Sequence, residues 1–110
     1  MIIRKSASEL ELMRHAGAVL AETITRVVEA VAPGVATLEL DRIAAQAIAD
    51  AGAEPSFLGY GGGGGGRIAF PATICASINE EIVHGIPSAD RVLRDGDLVS
   101  LDFGAIWEGF

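Results

Sequence analysis

A second cysteine is missing from this chain. Cys75 stands alone, so no internal disulfide can form and the fold must rest on burial and hydrogen bonding, as in a reducing compartment. Basic residues are scarce and scattered: 8 Lys and Arg stand against 15 Asp and Glu, a net charge of −7. A nucleic-acid binder needs a Lys/Arg patch, and none is present; the acidity is that of solvated helix faces. Long apolar runs are missing as well. No stretch approaches the roughly 20 residues of a membrane span, and Met1-Ile2-Ile3 meets Arg4 and Lys5 without the apolar segment of a signal peptide. These absences predict a cytoplasmic protein with neither a membrane nor a nucleic-acid partner. Aromatics make up only 5%, and residues 1–110 suffice for one small domain with little burial to spare.

What is present begins with two helical patterns. From Glu9 to Val31, apolar or small residues fall at Met13, Ala16, Gly17, Leu20, Ile24, Val27, Val28 and Val31, a stripe in steps of three and four. Ser6 with Glu9, or Ser8 with Glu11, has capping-box spacing at its start, and Pro33-Gly34 ends it. The second helix is predicted over Leu38–Ala51, with Thr37 as N-cap and Glu39 and Asp41 in a first turn that favours negative charge. Leu40, Ile43, Ala44, Ala47, Ile48 and Ala51 form its apolar face, and Gly52 supplies the left-handed residue after its end.

After Gly52 the period changes to two. Ala72, Ile74, Ala76 and Ile78 alternate with Thr73, Cys75, Ser77 and Asn79, which predicts a strand with one apolar face. Asn79-Glu80 reads as a turn into a short strand through Ile82 and Val83. Asp95-Gly96 marks another turn before a strand over Leu98–Phe103, with Val99, Leu101 and Phe103 toward the core. Helices first and antiparallel strands afterwards predict an α+β fold. Between them, Gly61–Gly66 is an unbroken run of six glycines, predicted to be a flexible loop. It is no phosphate-binding loop, because Arg67-Ile68-Ala69-Phe70-Pro71 follows where Lys-Ser or Lys-Thr and a helix are required.

Three residues are candidates for functional chemistry. His84, in Val83-His84-Gly85-Ile86-Pro87, sits where a strand gives way to a turn, from which an imidazole can reach out of the sheet; the alternative is a loop histidine satisfied by solvent. Asp102 lies inside a strand, where Asp is disfavoured. A carboxylate drawn into a sheet interior must be paired, hydrogen-bonded or metal-bound; the alternative is a structural carboxylate at a hairpin. Cys75 can line a pocket with its polarizable thiol, or serve as a buried structural cysteine.

Taken together, these segments resemble the type I, bacterial-type methionine aminopeptidases over essentially the whole chain, as their N-terminal half. Leu12-Met13-Arg14-His15-Ala16-Gly17 is similar to the family's first-helix signature, and Pro33-Gly34-Val35 with Leu38-Glu39-Leu40-Asp41 to its second-helix entry. Pro55-Ser56-Phe57-Leu58-Gly59-Tyr60 and Phe70-Pro71-Ala72-Thr73-Ile74-Cys75 resemble its pocket region. The most specific stretch runs from Ser77 through Asn79-Glu80-Glu81-Ile82-Val83-His84-Gly85-Ile86-Pro87 to Ser88, followed by Leu93–Asp102 at the family's spacing.

The resemblance implies the pita-bread fold, two helices packed on an antiparallel sheet in each of two similar halves. It implies removal of the initiator methionine from new proteins by two divalent cations (Co, Mn, Fe or Zn), near the ribosome. It makes Asp102 the first metal-binding carboxylate and His84 a catalytic histidine that contacts the substrate. Phe57, Tyr60, Phe70 and Cys75 become walls of the methionine pocket. Two departures stand out. Only one of five expected metal-ligand side chains is present, so the chain alone is expected to be inactive, with the polar face of Thr73, Cys75, Ser77 and Asn79 uncovered. The family's His-Gly pair after the tyrosine is replaced by nine residues between Tyr60 and Phe70, with Gly61 in the histidine's place. An Xaa-Pro peptidase of the same fold, or a non-catalytic relic that binds peptides or ribosomes, are the other readings.

Overall fold

Ser6 decides where the first helix begins. In the computed structural model, which describes residues 1–110, its hydroxyl accepts the Glu9 N–H at 3.2 Å while its own N–H donates to the Glu9 carboxylate at 2.6 Å. This reciprocal capping box opens α1, Ala7–Ala30. The buried line of α1 is Ala16, Val19, Thr23 and Val27, which corrects the predicted stripe: Met13, Ile24 and Val28 face solvent. The polar Thr23 is not counted in an apolar pattern, yet it is buried because its hydroxyl donates to the Val19 carbonyl one turn back at 2.9 Å.

The second helix, α2, spans Thr37–Asp50, and its N-cap is Ala36, without a side-chain cap. Thr37 is already helical. Its hydroxyl is engaged elsewhere, donating to the Ser88 carbonyl at 3.2 Å and accepting the Ser88 N–H at 2.9 Å. The helix entry is thereby tied to the 88–93 segment, helped by Gly34 N–H to Leu93 O and Leu93 N–H to Val35 O, both 2.8 Å. At the other end Gly52 takes φ +72°. Its N–H reaches Ala49 O at 2.9 Å and the Ala53 N–H reaches Ile48 O at 3.1 Å, the paired closure of a Schellman end.

Four short strands follow: β1 Glu54–Pro55, β2 Cys75–Ile78, β3 Val99–Asp102 and β4 Ala105–Ile106. They form two antiparallel pairs, β1 with β4 and β2 with β3. The α+β expectation holds. The core joins Val27 of α1, Leu40 and Ala44 of α2, Ile74, Ile78 and Leu93, with Val99, Leu101 and Phe103 packed against it, so β3 turns the predicted face inward.

Three details differ from expectation. The strand over 72–79 is shorter, because the N–H groups of Thr73 and Ile74 donate to the Asp41 carboxylate of α2, at 2.8 and 2.9 Å, instead of to a ladder. Ile82 and Val83 form no strand and are exposed. Thr73, Cys75 and Ser77 are buried, not open; the chain around Gly85 folds over β2, with Ala76 N–H donating to Gly85 O at 2.9 Å and Gly85 N–H to the Ser77 hydroxyl at 3.1 Å. No helix is long and apolar enough to cross a membrane.

Candidate functional site

The β2–β3 register sets the floor of the main cavity. Cys75 lies directly opposite Asp102, and side chains opposite one another in an antiparallel pair project from the same face. Burial pushes the Cys75 thiol pKa up, and the Asp102 carboxylate nearby adds to the shift. The thiol therefore stays neutral and packs as apolar, polarizable surface, not as a nucleophile. Asp102 itself is exposed. Burial therefore forces no partner on it; it presents a carboxylate to the cavity instead.

His84 reaches the same cavity from the segment that covers β2. Its backbone adopts φ +60°, a left-handed conformation that costs an L-residue roughly 1–2 kcal/mol. Its neighbour explains how the conformation is held. A Cβ on Gly85 would fall 2.1 Å from the Ala76 carbonyl oxygen and 2.8 Å from the Ser77 Cα, so only glycine lets this strap lie on the strand. The two hydrogen bonds of Gly85 then hold the backbone from which His84 reaches the cavity.

The third wall is aromatic. Phe57 and Phe70 meet edge to face, with centroids 6.4 Å apart and planes at 87°, a favoured arrangement of ring quadrupoles. Phe57 is placed by another close approach. A Cβ on Gly104 would sit 1.9 Å from Ser56 Oγ and 2.9 Å from the Phe57 ring. Gly59 N–H donates to Phe70 O at 2.8 Å and Phe70 N–H to Tyr60 O at 2.9 Å; these bonds close the base of the glycine loop and hold Tyr60 at the cavity mouth.

All six candidates from the sequence, His84, Asp102, Cys75, Phe57, Tyr60 and Phe70, line this one open cavity of about 600 Å³. Ser56, Ile68 and Ile86 complete it; none was singled out as a wall, although Ser56 lies in the stretch that resembles the family's pocket region. Ile86 stands two residues from His84 and Ser56 one residue from Phe57, so adjacency was a usable signal for both. Ile68 had none, since nothing local tells where a chain returns after six glycines. The lining is mostly apolar, interrupted by a carboxylate, an imidazole and a hydroxyl. That suits a largely apolar ligand group oriented by a small number of polar contacts.

A multi-metal centre needs several converging ligands. Here no three His, Cys, Asp or Glu side chains lie close enough together to hold an ion. Asp102 offers one carboxylate beside a protonated thiol, so these 110 residues do not by themselves fit such a centre.

Comparison with known proteins accounts for the layout. The profile of metallopeptidase family M24 matches residues 11–110. This chain belongs to that family. Within the M24 family it is 51% identical over its whole length to the methionine aminopeptidase of Clostridium acetobutylicum, covering 41% of that protein. It is 49% identical, again over its whole length, to methionine aminopeptidase 1 of Mycobacterium tuberculosis, covering 39% of it. The crystal structure of the Thermotoga maritima methionine aminopeptidase superimposes with a TM-score of 0.90 at 33% identity, over 98% of this chain and 41% of that one. The Rickettsia prowazekii enzyme gives 0.88 at 35% identity, over 98% and 40%. The chain thus has the pita-bread fold of these M24 peptidases over about two fifths of their length.

Proposed function

We propose that this chain forms the methionine-binding side of a methionine aminopeptidase, whose reaction is hydrolytic removal of the N-terminal methionine from newly made proteins in the cytoplasm. The observation that carries the reading is the convergence of Phe57, Phe70, Cys75, His84 and Asp102 on one apolar cavity. The thioether packs against the two ring edges and the neutral thiol. Apolar fit of this kind separates side chains by length and branching. The peptide bond lies at the rim, where the His84 imidazole hydrogen-bonds the substrate beside the scissile amide. The α-amino group faces Asp102. The partner is the N-terminal methionine of a nascent peptide, met as it leaves the ribosome.

In this reading Asp102 contributes one ligand to a pair of divalent cations (Co, Mn, Fe or Zn). One carboxylate does not hold two cations, so no hydrolytic step is assigned to the 110 residues alone. The isolated chain is expected to release no methionine from a Met-Ala peptide with added Co²⁺ or Mn²⁺. The function itself is tested in a chimaera in which this chain replaces the matching segment of the Clostridium acetobutylicum relative. The chimaera is expected to release methionine and to lose turnover with Asp102→Ala. A folded chimaera that releases none, or releases it unchanged with Asp102→Ala, overturns the proposal.

A further inference from the structure

The glycine loop brings one side chain to the cavity that nothing in the site so far explains. Ile68 is a lining residue, yet it is 92% exposed. An isoleucine that borders an apolar cavity while leaving nearly all its surface in water has a driving force to close on any apolar occupant, because closure removes its surface and the occupant's from water together. The loop can deliver it. Gly61 and Gly63–Gly66 all have positive φ, from +67° to +145°, conformations open to glycine at little cost. The two backbone bonds that join Gly59 and Tyr60 to Phe70 anchor the base, so movement is confined to the chain between them. Tyr60, at the other root of the loop and also on the cavity wall, is 78% exposed, so a second largely exposed side chain borders the cavity.

We infer that Ile68 is a specificity-determining residue that closes over a long unbranched apolar side chain seated between Phe57 and Phe70. The inference rests on the proposed methionine pocket and adds to it a wall supplied by the glycine loop. A short side chain does not reach the mouth. Ile68 therefore discriminates methionine from alanine without affecting the fold.

The test is titration of the chain with methioninamide and alaninamide, followed by amide and isoleucine-methyl resonances, for wild type, Ile68→Ser, Phe70→Ala and Ile82→Ser. Ile82 is the control, an exposed isoleucine at 87% that does not line the cavity. The expected result is that Ile68→Ser weakens methioninamide about tenfold or more, since one methylene more or less in an apolar pocket is worth roughly 10–200-fold. Alaninamide binding and the melting temperature stay unchanged, and Ile82→Ser behaves as wild type. Phe70→Ala weakens methioninamide as well. If Ile68→Ser matches wild type while Phe70→Ala loses binding, the role of Ile68 is refuted and the pocket stands. If Ile68→Ser and Ile82→Ser weaken binding equally, the effect is general surface apolarity and the inference is wrong. If methioninamide does not bind the wild type, or Phe70→Ala has no effect, the pocket reading falls and this inference with it.

Discussion

Replacing Gly85 by alanine tests how the site is held. The added methyl would fall 2.1 Å from the Ala76 carbonyl oxygen and 2.6 Å from its carbon. Both are backbone atoms of a buried strand and cannot move aside like the end of a long side chain. The strap must lift, and two buried bonds go with it: Ala76 N–H to Gly85 O at 2.9 Å and Gly85 N–H to Ser77 Oγ at 3.1 Å. A buried polar group left without a partner costs about 1–3 kcal/mol, so the pair together costs about 3 kcal/mol. Total stability is on the order of 5–15 kcal/mol for a domain. A loss of this size lowers the melting temperature by roughly 12 °C or more in a chain this small. Thermal melts followed by circular dichroism measure it. Gly17→Ala is the opposite control. Nothing lies within 4 Å of the added methyl, and removing a helix-interior glycine stabilises by about 1 kcal/mol. If Gly85→Ala melts within a degree or two of wild type, the strap does not depend on close approach and the account of His84 placement is wrong.

Three further outcomes are expected. Shortening Gly61–Gly66 to two glycines leaves the melting temperature unchanged or slightly raised, since the loop is closed at its base and halving a loop recovers only about 0.6 kcal/mol; a clear drop would reveal packing in the loop. The Glu9 carboxyl is held below its ordinary pKa by the Ser6 N–H and then by the Ser6 hydroxyl. Its folded pKa is lower than its unfolded one, so its contribution is present above the unfolded value and lost as pH falls through the folded one. Melting temperatures of wild type and Glu9→Gln should therefore converge as pH falls from 7 through the carboxylate range, and a constant gap contradicts the capping box. Because burial raises the Cys75 thiol, its alkylation by iodoacetamide should follow a pH curve displaced upward from that of the urea-unfolded chain; coincident curves refute the neutral-thiol wall.

Much of the fold was legible because it is written in local periods and caps. The Ser6–Glu9 spacing, the α2 face ending at Gly52 and the inward Val99–Leu101–Phe103 alternation all depend on residues within a few positions of each other. What was missed is long-range. Thr37 looks like an N-cap, but its hydroxyl bonds Ser88, 51 positions away, and no local pattern encodes that. Asp41 looks like a helix-dipole residue and instead holds the N–H groups of Thr73 and Ile74. β1 and β4 have two residues each, too few for any alternation to register. On α1, packing against α2 and β4 buries the line through Val19 and the polar Thr23, a choice no local apolar pattern makes.

The candidate site divides in the same way. His84 and Asp102 stood out by residue chemistry, and the aromatic walls by family resemblance. The glycines that position them, Gly85 and Gly104, act through close approach to Ala76 and Ser56, across 9 and 48 positions of sequence. Those approaches exist only once the sheets have formed, so composition and spacing are silent about them.

In the proposed pocket a methionine side chain lies against Phe57, Phe70 and Cys75 with its polar end toward His84 and Asp102. The most direct measurement is a set of intermolecular nuclear Overhauser effects between methioninamide and the isotope-labelled chain. The account predicts effects from the ligand S-methyl to the Phe57 and Phe70 rings, with the α-carbon proton nearer His84. Effects confined to another surface, such as the groove between α1 and α2, or a reversed orientation with the S-methyl at the rim, would contradict it.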